Sequence, residues 1–249
     1  DDGVAYLEAM SPVDCIFLDP ARRNEHGGKT VAISDCEPNV AKLEGLLLSK
    51  ANRIMIKLSP MLDLSQALKE LPHTQEVHII SVNNECKELL LLLGQTAPEE
   101  IPVHCVNLST KGEQEKQLFV FTREQEQHSE CSYTDTLGNY LYEPNASLLK
   151  AGAFRSIAAA YSVKKLHPNS HLYTSDTQIE GFPGRTFRII NRCSLNKKEI
   201  KENLSDLKKA NITVRNFPAT VAELRKRIKL AEGGDTYLFA STLNDGQKI

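Results

Sequence analysis

Apolar and polar positions along this chain follow two rhythms. Residues 13–18 (VDCIFL) are a short apolar run that stops at Asp19-Pro20, where proline cannot donate to a further ladder. The run reads as a buried parallel strand that delivers a loop at its carboxyl end. Over 38–51, Val40, Leu43, Leu46, Leu47 and Ala51 recur at helical spacing, and 53–58 (RIMIKL) is a second strand stopped by Ser59-Pro60. Leu62, Leu64, Ala67, Leu68 and Leu71 give a short helix. Strand, helix, strand, helix predicts an α/β domain with a parallel sheet. The runs 76–82 and 86–93 then flank Asn83-Asn84, a tight hairpin turn because Asn tolerates positive φ. Residues 103–108 and 117–122 form a second antiparallel pair, and the polar stretch 124–130 reads as a linker.

Beyond it the pattern predicts a helix over 148–166, weakened by Gly152, and a strand over 187–191. Asn196, with Glu199 three residues on, caps a helix whose apolar stripe is Ile200, Leu204, Leu207 and Ala210. A strand over 212–214 follows. Thr220 and Glu223 form a capping box for Val221, Leu224 and Ile228, and 237–241 is a last strand. The end of the chain is thus a β-α-β-α-β unit.

Composition adds exclusions. The 249 residues are 41% hydrophobic, and the longest apolar run, 89–93, is far below the ~18 residues of a membrane span. No charged-then-apolar leader opens the chain, and a cytoplasmic protein is expected. Six widely spaced Cys without a Cys-x-x-Cys pair read as reduced thiols rather than a disulfide frame or a zinc site. The seven His show no metal-ligand spacing, so no metal site is expected. Gly28-Lys29-Thr30 imitates the end of a phosphate loop, but Arg23 stands where its leading glycine should be. Net charge is only −2, yet residues 182–232 hold thirteen basic side chains against five acidic ones. Halves of opposite sign point to two modules, the second aimed at an anion. Lys197, Lys198 and Lys201 on the first helix, and Arg225 and Arg227 on the second, lie off the apolar stripes. Such a face is either solvated or a phosphate-binding surface.

The chemistry-bearing stretch is 14–23, Asp-Cys-Ile-Phe-Leu-Asp-Pro-Ala-Arg-Arg. A carboxylate at the end of a buried strand, followed by Pro, lies where open α/β sheets bind ligands, but an Asp-Pro turn can also simply end a strand. Asp19-Pro20-Ala21-Arg22 resembles the Asp-Pro-Pro-Tyr or Asp-Pro-Pro-Arg motif of class I S-adenosylmethionine-dependent methyltransferases. The blocks 17–23 (FLDPARR), 57–61 (KLSPM), 81–89 (SVNNECKEL), 142–145 (YEPN) and 172–175 (LYTS) are similar to bacterial methyltransferases with a C-terminal THUMP-like domain, over essentially the whole chain.

The resemblance implies a partial Rossmann-like sheet whose parallel strands end in an antiparallel pair, followed by small α+β domains. Residues 1–124 would be the later part of the catalytic domain, 131–180 a ferredoxin-like connector, and 181–249 a basic THUMP-like domain. It implies S-adenosylmethionine as cofactor in the full-length protein and RNA as substrate. Asp19, Pro20 and Arg22 would form the catalytic edge. Asp2, Gly3 and Asp19 would line the cofactor, with Asp2 accepting from the adenine amino group or else only ending a solvated terminus. Arg23, Lys57, Lys197, Lys198, Lys201, Arg225 and Arg227 would meet substrate, although a lysine placed like Lys57 more often reaches to solvent. The family's Gly-rich cofactor loop has no counterpart before Asp19, so the chain reads as beginning inside the domain, with 13–18 left as an open sheet edge. Arg22 replaces the aromatic residue that stacks an extruded base. No Cys stands at the end of the second strand to attack a ring, which leaves noncovalent transfer by positioning. A binding module on a degenerate scaffold, or a methyltransferase of small molecules or proteins, are the other readings.

Overall fold

The computed structural model describes residues 2–22, 32–110 and 116–249. Contacts divide the chain into two units, Asp1–His128 with Asn145–Ala153, and Ser129–Pro144 with Phe154–Ile249. Arg23 and the 28–30 imitation of a phosphate loop lie outside the described residues.

In the first unit, helix α1 (Gly3–Ala9) leads to β1 (Val13–Leu18). The two-residue strands β2 (Ala21–Arg22) and β3 (Cys36–Glu37) pair with each other. Helix α2 (Val40–Lys50), β4 (Ala51–Leu58), α3 (Leu64–Glu70), β5 (Thr74–Val82) and β6 (Glu85–Gly94) follow, then β7 (Pro102–Leu108), β8 (Lys116–Thr122) and α4 (Arg123–His128). The sheet runs in the order β1-β4-β6-β5-β7-β8. β1 and β4 are parallel, as are β5 and β7, while β6 and β8 run against their neighbours. The predicted mixed α/β fold is therefore present, with one refinement: the hairpin strand β6 turns back between β4 and β5. The hairpin turns on Asn83 (φ 50°) and Asn84 (φ 64°). Asn107 Oδ1 clamps it, accepting from the Asn84 N–H at 3.0 Å and the Ser81 hydroxyl at 2.9 Å.

One face of this sheet is buried by Ile54, Ile56, Val77, Ile79, Leu89, Leu91, Leu93 and Val103 beneath α2 and α5 (Ala146–Ala151). The other face is half-exposed. Two expectations are corrected here. β1 is not buried: it has one partner strand, and Phe17 is 58% exposed. The open edge foreseen at residues 13–18 is what the sheet order gives. The polar stretch 124–130 largely folds as α4, because glutamines and glutamates are good helix formers.

The second unit opens with β9 (Tyr140–Pro144) and continues through α6 (Ser156–Tyr161), β10 (Lys164–Lys165), β11 (Tyr173–Ser175) and β12 (Gly184–Arg188). These strands form a sheet in the order β10-β11-β9-β12. Gly184 is required there, since a Cβ would collide with the Glu143 backbone carbonyl on β9. Helix α7 (Lys197–Leu204), β13 (Asn211–Arg215), α8 (Val221–Ile228) and β14 (Tyr237–Ser241) complete the chain, with β13 and β14 parallel. The single helix foreseen over 148–166 is two short ones. Gly152 (φ 78°) caps the first in a left-handed turn. The helix from Asn196 ends at Leu204, short of Leu207 and Ala210, and the strand foreseen at 187–191 sits at 184–188. The Thr220–Glu223 capping box is complete. β12 belongs to the four-stranded sheet, so the last unit is β-α-β-α-β in order but not one sheet.

Glu143 is buried and held from two sides. Arg185 on β12 donates to its Oε2 (Nε at 3.0 Å), and Arg215 on β13 donates to Oε1 at 2.8 Å. The Arg185 guanidinium also lies over the rings of Phe187 and Tyr237. His171, in a left-handed conformation (φ 52°), stacks on Phe154 with centroids 3.7 Å apart. Burial, reinforced by the charges of Lys165 and Arg215, pushes its pKa down to about 4.

A pKa held below the unfolded value means that the unfolded chain takes up the proton first. Stability should therefore fall as pH drops from about 6.5 toward 4. His171→Asn, which tolerates the same backbone and does not titrate, should lose less melting temperature between pH 7 and pH 5 than the wild type. Equal losses in thermal denaturation would reject this assignment.

Candidate active site

β1 and β4 run side by side in parallel register, Leu18 opposite Ile56, so Asp19 leaves the sheet beside Lys57. Lys57 Nζ lies 2.6 Å from Asp19 Oδ2 and 3.9 Å from Glu88 Oε2 on β6. Three strands thus bring two carboxylates around one ammonium at the carboxyl end of β4. Pro20 is buried, which fixes the chain just after the acid, while Asp19 remains exposed. The hydrogen bond to Asp19 raises the Lys57 pKa; desolvation opposes this, and the charges of Glu88 and Asp19 add to it. An ion pair this exposed contributes little to stability. Its effect is geometric: it fixes the Asp19 carboxylate at an open strand end, where α/β sheets present ligand-binding groups.

Cys86, two residues before Glu88 on β6, has its thiol pKa raised by burial, with Lys150 opposing and Glu88 adding. A thiol kept protonated is a poor nucleophile. This agrees with the lack of any Cys at the end of β4.

Asp2 is the N-cap of α1, its Oδ1 accepting from the Val4 N–H at 2.8 Å. The helix is tied down at its other end, where Lys50 Nζ donates to the carbonyls of Glu8 (2.9 Å) and Met10 (2.7 Å). Gly3 faces open space. Arg22 lies on β2, and its side chain is not described. The blocks at 81–89 and 142–145 supply structure. Asn84 Oδ1 accepts from the Ala146 N–H at 2.8 Å, and Asn145 caps α5.

The cofactor implied by the resemblance needs backbone that can approach it closely. Among the described glycines of this unit, Gly3 and Gly45 border open space, Gly94 packs on the Gln75 side chain and Gly152 caps α5. Of the described residues, the acid–proline corner and Asp2 are those that would border such a cofactor.

In the second unit Lys197, Lys198 and Lys201 are exposed along α7, with Lys198 3.9 Å from Glu202. The two arginines also hold backbone carbonyls: half-buried Arg225 donates to those of Ala210 (3.5 Å) and Leu230 (3.3 Å), and Arg227, which stays exposed, to that of Leu195 (2.6 Å). A helical-wheel reading counts a guanidinium as surface charge and cannot see such carbonyls. The sequence reading also missed a cluster in the first unit, where parallel pairing of β5 with β7 brings Glu76, His78 and His104 together.

Comparison with known proteins supports both parts of the resemblance. Residues 140–183 match a ferredoxin-like domain model and 184–249 a THUMP domain-like model. The crystal structure of a presumed methyltransferase from Porphyromonas gingivalis W83 superposes with a TM-score of 0.85 at 41% identity over 94% of this chain. The chain spans 58% of that protein's length. No curated protein matches. None of the six cysteines is in a disulfide, and no helix among the described residues is long and apolar enough to cross a membrane.

Asp19→Ala removes the main cause of the raised Lys57 pKa. Its ammonium, followed by carbon-13 NMR of the Cε resonance, should titrate at lower pH than in the wild type, and Glu88→Gln should produce a smaller change in the same direction. An unchanged Lys57 titration in Asp19→Ala would show that the pair is not formed in solution.

Proposed function

We propose that this chain is the substrate-facing portion of an S-adenosylmethionine-dependent methyltransferase that acts on RNA, with its basic C-terminal unit docking the substrate. The observation that carries the reading is the Asp19-Pro20 corner at the carboxyl end of β1, in a chain 41% identical to a presumed methyltransferase. Asp2 and Gly3 would border the adenine end of the cofactor, which supplies the methyl group when bound, and Asp19 its reactive end.

The protein's own contribution is positioning. Pro20 fixes the backbone, and Lys57 and Glu88 hold the Asp19 carboxylate. Asp19 accepts a hydrogen bond from the nucleophilic group of the substrate and aims its lone pair, a contribution of orientation rather than covalent chemistry. Arg22 and Arg23 would meet phosphate, and Lys57 sets a positive charge beside Asp19. Lys197, Lys198 and Lys201 on α7 would bind the RNA backbone through charge, releasing counterions. Arg225 and Arg227, which also hold backbone carbonyls, would contribute chiefly by shaping that surface. The setting is cytoplasmic.

One observation favours a second reading. Lys197, Lys198 and Lys201 lie exposed along one helix within the THUMP domain-like match, a surface that would serve equally an RNA-binding module on a scaffold without catalytic function.

Two measurements separate the readings. Calorimetric titration of S-adenosylmethionine into the full-length protein should give saturable heat; none at high cofactor concentration would reject the enzymatic reading. Reversing Lys197, Lys198 and Lys201 to Glu should weaken RNA retention on filters at least tenfold. It should also flatten the logarithmic salt dependence by about 2, given a slope of ~0.7 per phosphate contact for single strands. Unchanged retention would remove RNA from the proposal and leave the lysines as a solvated face.

A further inference from the structure

The half-exposed face of the first sheet carries a group of side chains that the acid–proline corner does not use. Glu76 and His78 stand two residues apart on β5 and therefore on the same face. Parallel pairing sets His104 of β7 directly beside His78. The imidazoles stack with centroids 4.4 Å apart and planes 9° apart. His78 Nε2 is 3.1 Å and His104 Nε2 4.0 Å from the same oxygen, Glu76 Oε2. Taking one donor atom from each residue, all three lie within 4.8 Å of one another.

We propose that Glu76, His78 and His104 form a binding site for a zinc-class divalent transition-metal ion. The donor set is two imidazole nitrogens and one carboxylate oxygen, which suits zinc and its late first-row neighbours better than magnesium or calcium. A tetrahedral ion with bonds of 2.0–2.1 Å needs donors about 3.3 Å apart. The Glu76–His78 pair already meets that spacing; His104, 4.0 Å from the same oxygen, would complete it by turning its ring out of the stack, since an imidazole nitrogen binds a metal in the plane of its ring. Rigid strands fix the three Cα positions, so little order is lost on binding. Three protein donors leave a fourth position to water or an exogenous ligand, the pattern of open rather than closed zinc sites.

The site is accessible: the side chains of His78 and His104 are about one quarter exposed and that of Glu76 nearly half. It sits in the cross-strand row Lys57–Leu90–His78–His104–Val120. Its nearer histidine is two strands from Lys57, about 10 Å at the backbone. Lys116 on β8 is the cation whose field reaches His104, and the Glu76 carboxylate opposes it.

The test is titration of Co²⁺ into the chain, followed by visible absorption, with Zn²⁺ binding measured by calorimetry under thiol-free buffer conditions. One equivalent should bind, with the intense d–d bands of tetrahedral cobalt and no sulfur-to-metal charge-transfer band, and Zn²⁺ should displace it. His104→Ala, His78→Ala and Glu76→Gln should each weaken binding at least tenfold while leaving far-ultraviolet circular dichroism unchanged. Absence of a cobalt spectrum would overturn the site. So would a charge-transfer band that survives the three substitutions, since cysteine thiolates would then be the ligands. Neither result depends on methyl transfer or RNA binding.

Discussion

Strand register is the constraint from which the rest of the first unit follows. β1 and β4 lie parallel, and β6 returns antiparallel between β4 and β5. A slip of one residue in any of these pairings would move every side chain of the strand to the opposite face. With the observed register, Asp19 emerges beside Lys57, Glu88 arrives from the inserted strand, and His78 and His104, 26 positions apart in sequence, fall side by side on β5 and β7. The buried face explains why the register holds. Ile54, Ile56, Leu89, Leu91, Val77 and Ile79 alternate with half-exposed residues, so a slip would carry a full set of branched side chains into solvent.

The second unit is organised by a different interaction. Glu143, 2% exposed, ties β9 to β12 and β13 through two guanidiniums. Carboxylate burial of this kind is costly unless both oxygens are satisfied, and here both are. The residue lies within the ferredoxin-like match and its partners within the THUMP-like match. A charge-paired seam therefore joins the two small domains. The lysines of α7 remain at the surface, which keeps the unit's positive charge available to an anionic partner.

Much of the fold was legible in the sequence because local signals agreed with the tertiary outcome. Asn83-Asn84 marked a turn that only residues tolerant of positive φ make easily, and Thr220 with Glu223 marked a helix start. The Asp19-Pro20 corner was legible as a strand end, though not as an ion pair, because Lys57 is met through pairing and not through spacing. What escaped were features decided by neighbours. Residues 13–18 look buried by composition, but an outer strand with one partner leaves Phe17 in solvent. Gly152 was read as a weak point in a helix where it is a helix end. Arg225 and Arg227 lie off the apolar stripe as the spacing predicts, but the backbone carbonyls of Ala210 and Leu195 that they also hold come from other segments. The Glu76–His78–His104 group was invisible because 26 positions separate its histidines in sequence, and only the β5–β7 pairing closes that gap.

The central claim is that the Asp19 carboxylate orients a nucleophile for methyl transfer to RNA. The most direct measurement is incorporation of label from methyl-tritiated S-adenosylmethionine into RNA by the full-length protein, for the wild type and for Asp19→Asn. The account predicts label in RNA with the wild type and a loss of about 100-fold in the variant, the scale of a misplaced reacting group, with RNA affinity unchanged. Equal incorporation by both proteins, or no label in RNA from either, would contradict it.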